Sequence, residues 1–304
     1  MKEYIEYDYG IIIKEIFETE ECTFFQYDNA FFLFSKFKRD QKDIEDIIEL
    51  SKEVKIKKLN SFDIILNKDN NILTNINNEL YVLLKLTKDF KETIDILDVI
   101  NYNSKLKISK SKIPDYKNDW NKLWSEKVDY YEYQLNQLGC EKNIILESFS
   151  YYLGLAENAI SIVVDCNKKY NYGANENLVV CHRRLYYPNY KLNYFNPISY
   201  IIDLEVRDVA EYIKSIFFSK EDAFLELKTY LKSVKLSPYL YQMLYARLLF
   251  PTYYFDLYDK AIIDENYEEN LMKVINKVNE YEFFLKDAYK LINNYAQIEQ
   301  ISWL

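Results

Sequence analysis

The stretch Asn177–Asn189, "NLVVCHRRLYYPN", decides how the chain is read. It places the single histidine, His182, behind a short apolar run and directly before Arg183 and Arg184. Four apolar residues bounded by polar ones fit a buried strand ending at Cys181. Upstream, residues 146–164 form a mostly apolar helical pattern, followed by a polar loop. Downstream come a further pair of strands and then "YIIDLEVRDVAEYIK" (200–214), a strand end running into a helix. Helix, strand, polar loop, strands and helix therefore follow one another within about seventy residues.

Composition limits what this order can serve. A chain of 304 residues can bury a substantial core in one large or two smaller domains. No run approaches the eighteen or so uninterrupted apolar residues that a membrane span needs. The start, "MKEYIEYDYGIIIKEIFETEE", lacks a basic opening and a small-residue cleavage site, which reads against a secretory signal and for a cytoplasmic protein. A net charge of −9 argues against a general nucleic-acid binder, because neutralising phosphates takes a basic surface. Cys22, Cys140, Cys166 and Cys181 are widely spaced and cannot build a Cys/His zinc cluster with one histidine, so they read as buried reduced thiols. The chain has 31 tyrosines but only 4 isolated glycines, so a glycine-rich phosphate cradle is absent. The tyrosine excess accompanies abundant Lys, Asn and Ile, as drift in an AT-rich genome would produce.

Local patterns divide the chain near residue 88. Two aromatic runs around Tyr27-Asp28-Asn29 predict a hairpin. Ile44, Ile47, Ile48 and Val54 predict a helix, with Asp40 or Asp43 near its start. Further strands follow, punctuated by Asp69-Asn70-Asn71 and Asn77-Asn78. Beyond residue 88 the pattern is helical. Trp120, Leu123, Trp124, Val128, Tyr131 and Leu135 form one stripe, with Gly139 as C-terminal cap. Val274, Val278, Tyr281, Leu285, Ala288 and Ile292 predict a single long helix near the end.

The order around His182 resembles the C-lobe of protein-kinase-like folds, where a helix, a short strand, a catalytic loop, a hairpin, a metal-binding aspartate and another helix succeed one another. The aminoglycoside and choline phosphotransferase branch carries H-G-D-x-H-x-x-N followed by I-D-[WF]-[DE]. Laid on this frame, His182 takes the first histidine and Asn189 the metal-binding asparagine, while Ile202-Asp203-Leu204-Glu205 takes the second motif. Arg183 replaces the glycine, Arg184 the catalytic aspartate and Tyr186 the second histidine. The segments "ESFSYYLGLAENAI", "VVCHRR", "VRDVAEYIK", "ARLLFPTYYFD" and the closing "ISWL" are similar to the YutH branch of the CotS-like spore coat proteins, in which the catalytic loop is often degenerate. The resemblance implies an α+β, two-lobed protein-kinase-like fold. Its small mixed N-lobe would span 1–88, and its mainly helical C-lobe 89–304, with the degenerate loop at 182–189.

The resemblance also assigns roles that the residues limit. Arg184 cannot orient an acceptor hydroxyl as a base, because a guanidinium stays protonated and only donates. Some 4 Å from a divalent metal it would add repulsion of several kcal/mol at an effective dielectric near 20. Asn189 and Asp203 are the candidate metal ligands, each with an ordinary turn reading beside it. Asp208 fits a helix N-cap, whose kinase-fold equivalent also accepts bonds from the catalytic-loop backbone. Lys36 with Glu45 or Glu49 is the nearest match to the lysine–glutamate pair that positions nucleotide phosphates, against a solvent-facing reading of all three. His182 is expected to pack beneath the loop. The reading that follows is a pseudokinase binding spore coat or other sporulation proteins, without catalysis or a required cofactor, in the mother-cell cytoplasm or on the coat. An ATP- and Mg²⁺-dependent small-molecule phosphotransferase with an atypical loop, or a nucleotide-binding sensor, stands as the alternative.

Overall fold

A computed structural model describes residues 1–18, 22–59, 61–86, 94–108, 120–138, 143–174, 176–183, 185, 194–219 and 222–304. The chain forms two compact units. The first contains Met1–Ile94 with His182, Arg183 and the segment ending at Ile201, and the second holds most of the remainder.

In the first unit, helix α1 (Lys2–Tyr9) precedes strands β1 (Phe17–Glu18), β2 (Cys22–Tyr27) and β3 (Ala30–Lys36). Helix α2 (Ile44–Ile56) follows, then β4 (Asp63–Ile65), β5 (Thr74–Ile76) and β6 (Glu79–Leu86). The strands make an antiparallel sheet in the order β1-β2-β3-β6-β4, with β5 also on β6. The expected hairpin closes where Tyr27 pairs with Ala30, and Asp28 and Asn29 carry φ of 48° and 55°. Asn77 and Asn78 make the same kind of turn at φ 52° and 67°. Two consecutive left-handed residues match the right-handed twist of the flanking strands, and Asn or Asp reaches that region at lower cost than other side chains. Asn67 organises the next turn, its Oδ1 accepting from the N–H groups of Asp69 at 3.0 Å and Asn71 at 2.9 Å.

One sheet face carries Phe25, Phe32, Phe34 and Leu83 against Ile5, Ile11 and Ile13. Helix α2 buries Ile47, Leu50 and Val54, while Ile44 and Ile48 stay half-buried. Asp40 caps the 3-10 turn that precedes it, accepting from Lys42 N–H.

The second unit is mainly helical. It contains α3 (Ile96–Lys105), β7 (Lys107–Ile108), α4 (Trp120–Leu138), α5 (Asn143–Lys169), β8 (Leu178–His182) except His182, and β9 (Tyr200–Leu204) from Ile202 onward. Then come α6 (Val206–Phe218), α7 (Ala223–Ser233), α8 (Pro238–Leu249), α9 (Thr252–Ile263), α10 (Glu268–Ile275) and α11 (Val278–Asn293). The short strands form a sheet in the order β7-β8-β9. Among the described residues, no helix is long and apolar enough to cross a membrane.

Several expectations need correction. Leu123 is exposed, because at about 100° per residue it falls outside the arc shared by the buried Trp120, Trp124, Val128 and Tyr131. The long C-terminal helix is two helices, interrupted at Asn276 and Lys277; the Lys277 ammonium reaches the Phe217 and Phe218 carbonyls at the end of α6. Helix α5 is longer than 146–164, and β8 runs on to His182. Cys166 and Cys181 are buried free thiols, whereas Cys22 is half-buried. Gly139 and Cys140 lie outside the described residues.

Candidate functional site

Strand β8, "LVVCH", is buried at every position. Branched side chains suit a strand covered on both faces. His182 at its end is fully buried, with Nε2 2.8 Å from the Tyr194 carbonyl. A carbonyl only accepts, so Nε2 carries the proton and donates. The imidazole stacks on Tyr194 at 4.8 Å and meets the edge of Tyr200 at 5.3 Å. His182 thus packs against the segment before β9. Arg184 and Asn189 lie outside the described residues.

The same segment is fastened within the first unit. Arg39 donates from Nη1 to the carbonyls of Ile198 at 3.1 Å and Tyr200 at 2.7 Å, while its Nε pairs with Asp43 at 3.0 Å. Phe62 N–H donates to the Phe195 carbonyl at 2.9 Å, and the Tyr200 hydroxyl to Ser61 Oγ at 3.1 Å.

Lys36 forms its ion pair with Glu79 on the neighbouring strand β6. Glu45 is exposed in the first turn of α2, and the structure does not bring it to Lys36. Strand pairing explains this, since cross-strand neighbours approach closely whatever the helix offers. Lys36 and Glu79 are both partly exposed, as a solvent-side pair would be.

Asp203 is the penultimate residue of β9 and is 4% exposed. The Trp120 indole N–H lies 3.0 and 2.9 Å from its two oxygens. Leu204 N–H donates to Oδ1 at 2.7 Å, and Arg207 Nη1 to Oδ2 at 2.6 Å. Glu205, the second acid of the motif, has its carboxyl raised above the usual value, chiefly by burial, while Lys107 opposes the shift. Asp208 is fully buried but is not the N-cap of α6. That helix begins at Val206 with Glu205 in the cap position, so Asp208 belongs to the first turn, where a carboxylate favours the helix dipole.

Beyond Asp203 the second unit holds a buried charge array. Glu211 Oε1 accepts from Arg247 Nε at 2.9 Å and Lys214 Nζ at 3.0 Å, and Glu211 Oε2 accepts from Thr252 Oγ1 at 3.1 Å. Lys214 also donates to Thr252 Oγ1 at 2.8 Å and to the Arg247 carbonyl at 3.0 Å. The Arg247 guanidinium lies 4.6 Å from the ring of Trp120, the tryptophan that donates to Asp203. Asp203, Asp208, Glu211, Lys214 and Arg247 are the fully buried charged residues among those described. Adding Arg207, whose side chain is 11% exposed, balances three acids with three cations. Cys181 lies within their field: burial raises its thiol most, Asp208 and Asp203 add to this, and Arg207 and Arg247 oppose it.

Arg39, Trp120, Arg207, Glu211, Lys214 and Arg247 are partners that the motifs around His182 do not point to. Two signals were available. Arg207, Glu211 and Lys214 alternate in sign at spacings of four and three, which places them on one helix face. Arg247 is the lone charge in "PYLYQMLYARLL", and a charge that enters an apolar helix requires a buried partner.

Magnesium is the metal that the second motif implies. It demands near-octahedral oxygen ligation at about 2.0–2.1 Å. Each Asp203 oxygen already accepts two donor contacts, one set including a guanidinium. A divalent ion about 4 Å from that guanidinium would meet a repulsion of roughly 8 kcal/mol at an effective dielectric of 20. Asp203 as placed here does not fit a metal ligand.

Comparison with known proteins agrees with this frame. A family model described as "Spore coat putative kinase YutH" matches residues 2–288. The chain belongs to the YutH spore coat family. A YutH relative, the endospore coat-associated protein YutH of Bacillus subtilis (strain 168), is 30% identical over 208 residues. That match covers 61% of this chain and 61% of the relative, so it spans about three-fifths of the curated protein. Among solved structures, an aminoglycoside phosphotransferase from Alicyclobacillus acidocaldarius aligns with TM-score 0.61 at 10% identity, over 94% of this chain and 96% of that one. Spectinomycin phosphotransferase in its AMP-bound complex aligns with TM-score 0.55 at 10% identity, over 95% and 96%. At such identities the likeness concerns the fold: this YutH family member has an aminoglycoside phosphotransferase-like fold, with a β-sheet N-terminal part and a mainly helical C-terminal part.

Proposed function

We propose that this YutH family member is a non-catalytic kinase-fold protein of the spore coat that acts by binding other coat or sporulation proteins. The observation that carries the reading is Arg184 at the position of the catalytic aspartate. A permanently protonated guanidinium cannot accept a hydrogen bond from an acceptor hydroxyl, so the base of phosphoryl transfer is missing. The coat association named for the Bacillus subtilis relative supports the location. Asn189, and an Asp203 released from its present partners, would favour a small-molecule phosphotransferase instead.

A thermal-shift titration with ATP and Mg²⁺, run beside an ATP-consumption assay, separates the readings, since a ligand that binds the native state raises its melting temperature by mass action. The expected result is no shift at millimolar ATP and no turnover. A shift with turnover identifies a phosphotransferase, and a shift without turnover a nucleotide sensor. In a sporulating host, deletion of the gene is expected to alter coat protein composition; an unchanged coat would count against the coat role.

A further inference from the structure

We propose that Arg207 occupies the cation position on Asp203, so that the second motif is closed by the chain's own guanidinium and opens to an external cation only when Arg207 is removed. The proposal rests on reading the chain as a metal-independent member of its fold. It does not depend on which proteins the chain binds.

Three observations lead to it. Arg207 Nη1 approaches Oδ2 at 2.6 Å, a short charge-assisted contact, and the pair is almost fully shielded, with side-chain exposures of 11% and 6%. The neutral donors beside it, Trp120 and Leu204, leave one negative charge to be balanced, and Arg207 supplies that charge. Among the described residues the buried charges balance: Asp203, Asp208 and Glu211 accompany Arg207, Lys214 and Arg247. Adding a divalent ion would leave buried positive charge unbalanced unless a cation left. Arg207 is the most exposed of the three cations and is the one paired with Asp203, so its loss empties that position. Lys214 and Arg247 are held by Glu211.

The geometry makes Arg207→Ala a gain-of-binding variant. A buried carboxylate stripped of its counter-charge must recruit a cation or take up a proton. Mn²⁺ is a suitable probe, because its electron paramagnetic resonance signal reports the free ion. Wild type and Asp203→Asn are expected to leave the same free Mn²⁺. Arg207→Ala should bind one equivalent at least about tenfold more tightly than wild type, a difference of about 1.4 kcal/mol, and Arg207→Ala/Asp203→Asn should lose that binding. Millimolar guanidinium should raise the melting temperature of Arg207→Ala but not of wild type, in competition with Mn²⁺.

Asp203-dependent Mn²⁺ binding by wild type overturns the proposal, as does a folded Arg207→Ala that gains affinity for neither cation. If Arg207→Ala fails to fold, the comparison of wild type with Asp203→Asn still decides: equal Mn²⁺ uptake supports the proposal, and uptake lost in the variant overturns it. ATP turnover by a wild-type protein without Asp203-dependent Mn²⁺ binding would sink the proposed function while leaving this inference standing.

Discussion

Arg39 donates to the carbonyl oxygen of Tyr200 at 2.7 Å, joining residues 161 positions apart in the chain. The same nitrogen reaches the Ile198 carbonyl, and Asp43 holds the guanidinium from the other side. A planar fork is suited to this work, whereas an ammonium is a point donor. Arg39→Gln is therefore expected to loosen the segment that carries Tyr194, Ile198 and Tyr200. Hydrogen bonds to charged groups contribute about 1.5–3 kcal/mol each, so amides of 194–201 should exchange more than about tenfold faster by native-state hydrogen exchange. Arg39→Lys should restore part of the protection. Unchanged exchange at 194–201 would show that the Phe62 and Ser61 contacts suffice.

Glu211 accepts ion pairs from both Lys214 and Arg247. Removing one partner of a buried ionic set leaves charge without compensation, at a cost of about 3–5 kcal/mol. Glu211→Gln should lose stability in that range by urea unfolding. Trp120→Phe, which keeps a ring beneath Arg247 but loses the donor to Asp203, should lose only about 1–3 kcal/mol. Equal losses for the two would mean that the array is not organised around Glu211.

Alkaline pH provides a test of how deeply the phenols are buried. Burial is the first cause of the raised values at Tyr230, Tyr253 and Tyr281, and it pushes Tyr254 up to about 12 and the Cys166 thiol up to about 12. The unfolded chain releases these protons at the ordinary 9.0 for the thiol and 10.0 for the phenols. The folded state then binds more protons than the unfolded one, so stability is complete below pH 9 and falls as pH rises through the window up to about 12. Tyrosinate absorbance from the buried phenols should appear together with loss of the near-ultraviolet circular dichroism. A gradual titration near pH 10 in a folded protein would contradict the burial.

Gly173 has φ +61°, and a Cβ there would come within 2.4 Å of the Tyr239 ring. That ring is fixed, since its hydroxyl donates to Asn167 Oδ1 at 2.9 Å. Gly173→Ala combines a left-handed penalty with overpacking and should destabilise by about 2–4 kcal/mol in thermal or urea unfolding. Gly10 has a similar φ with open space around it, so Gly10→Ala should lose only the backbone part, about 1–2 kcal/mol.

The parts of the fold that were legible in the sequence are those set by neighbours along the chain. Asp28-Asn29 and Asn77-Asn78 announce their hairpins because the left-handed requirement is met by the two turn residues themselves. The α4 stripe was legible except for Leu123, since a period of 3.6 narrows the buried arc more than counting threes and fours suggests. Asp203 was found through its motif, but its partners were not. Trp120 lies 83 positions away, and nothing local to an indole predicts which carboxylate will accept from it. Asp208 reads as a cap only if the helix begins at Val209, three residues after its actual start at Val206. Boundaries of that kind depend on which residue first adopts helical angles, and here Glu205 already has φ −56° and ψ −27°.

The left-handed turns have one more consequence. Asp28, Asn29, Asn70, Asn77, Asn78 and Asn171 take conformations that many chains give to glycine. None of the asparagines in this sequence is followed by glycine. Asparagine is among the thermolabile residues, and its side chain converts to a succinimide fastest when the next residue is glycine, which leaves the attacking backbone nitrogen unhindered. Here every following residue carries a side chain. The turns that shape the first unit therefore reach left-handed conformations while avoiding the asparagine–glycine pair that ages fastest.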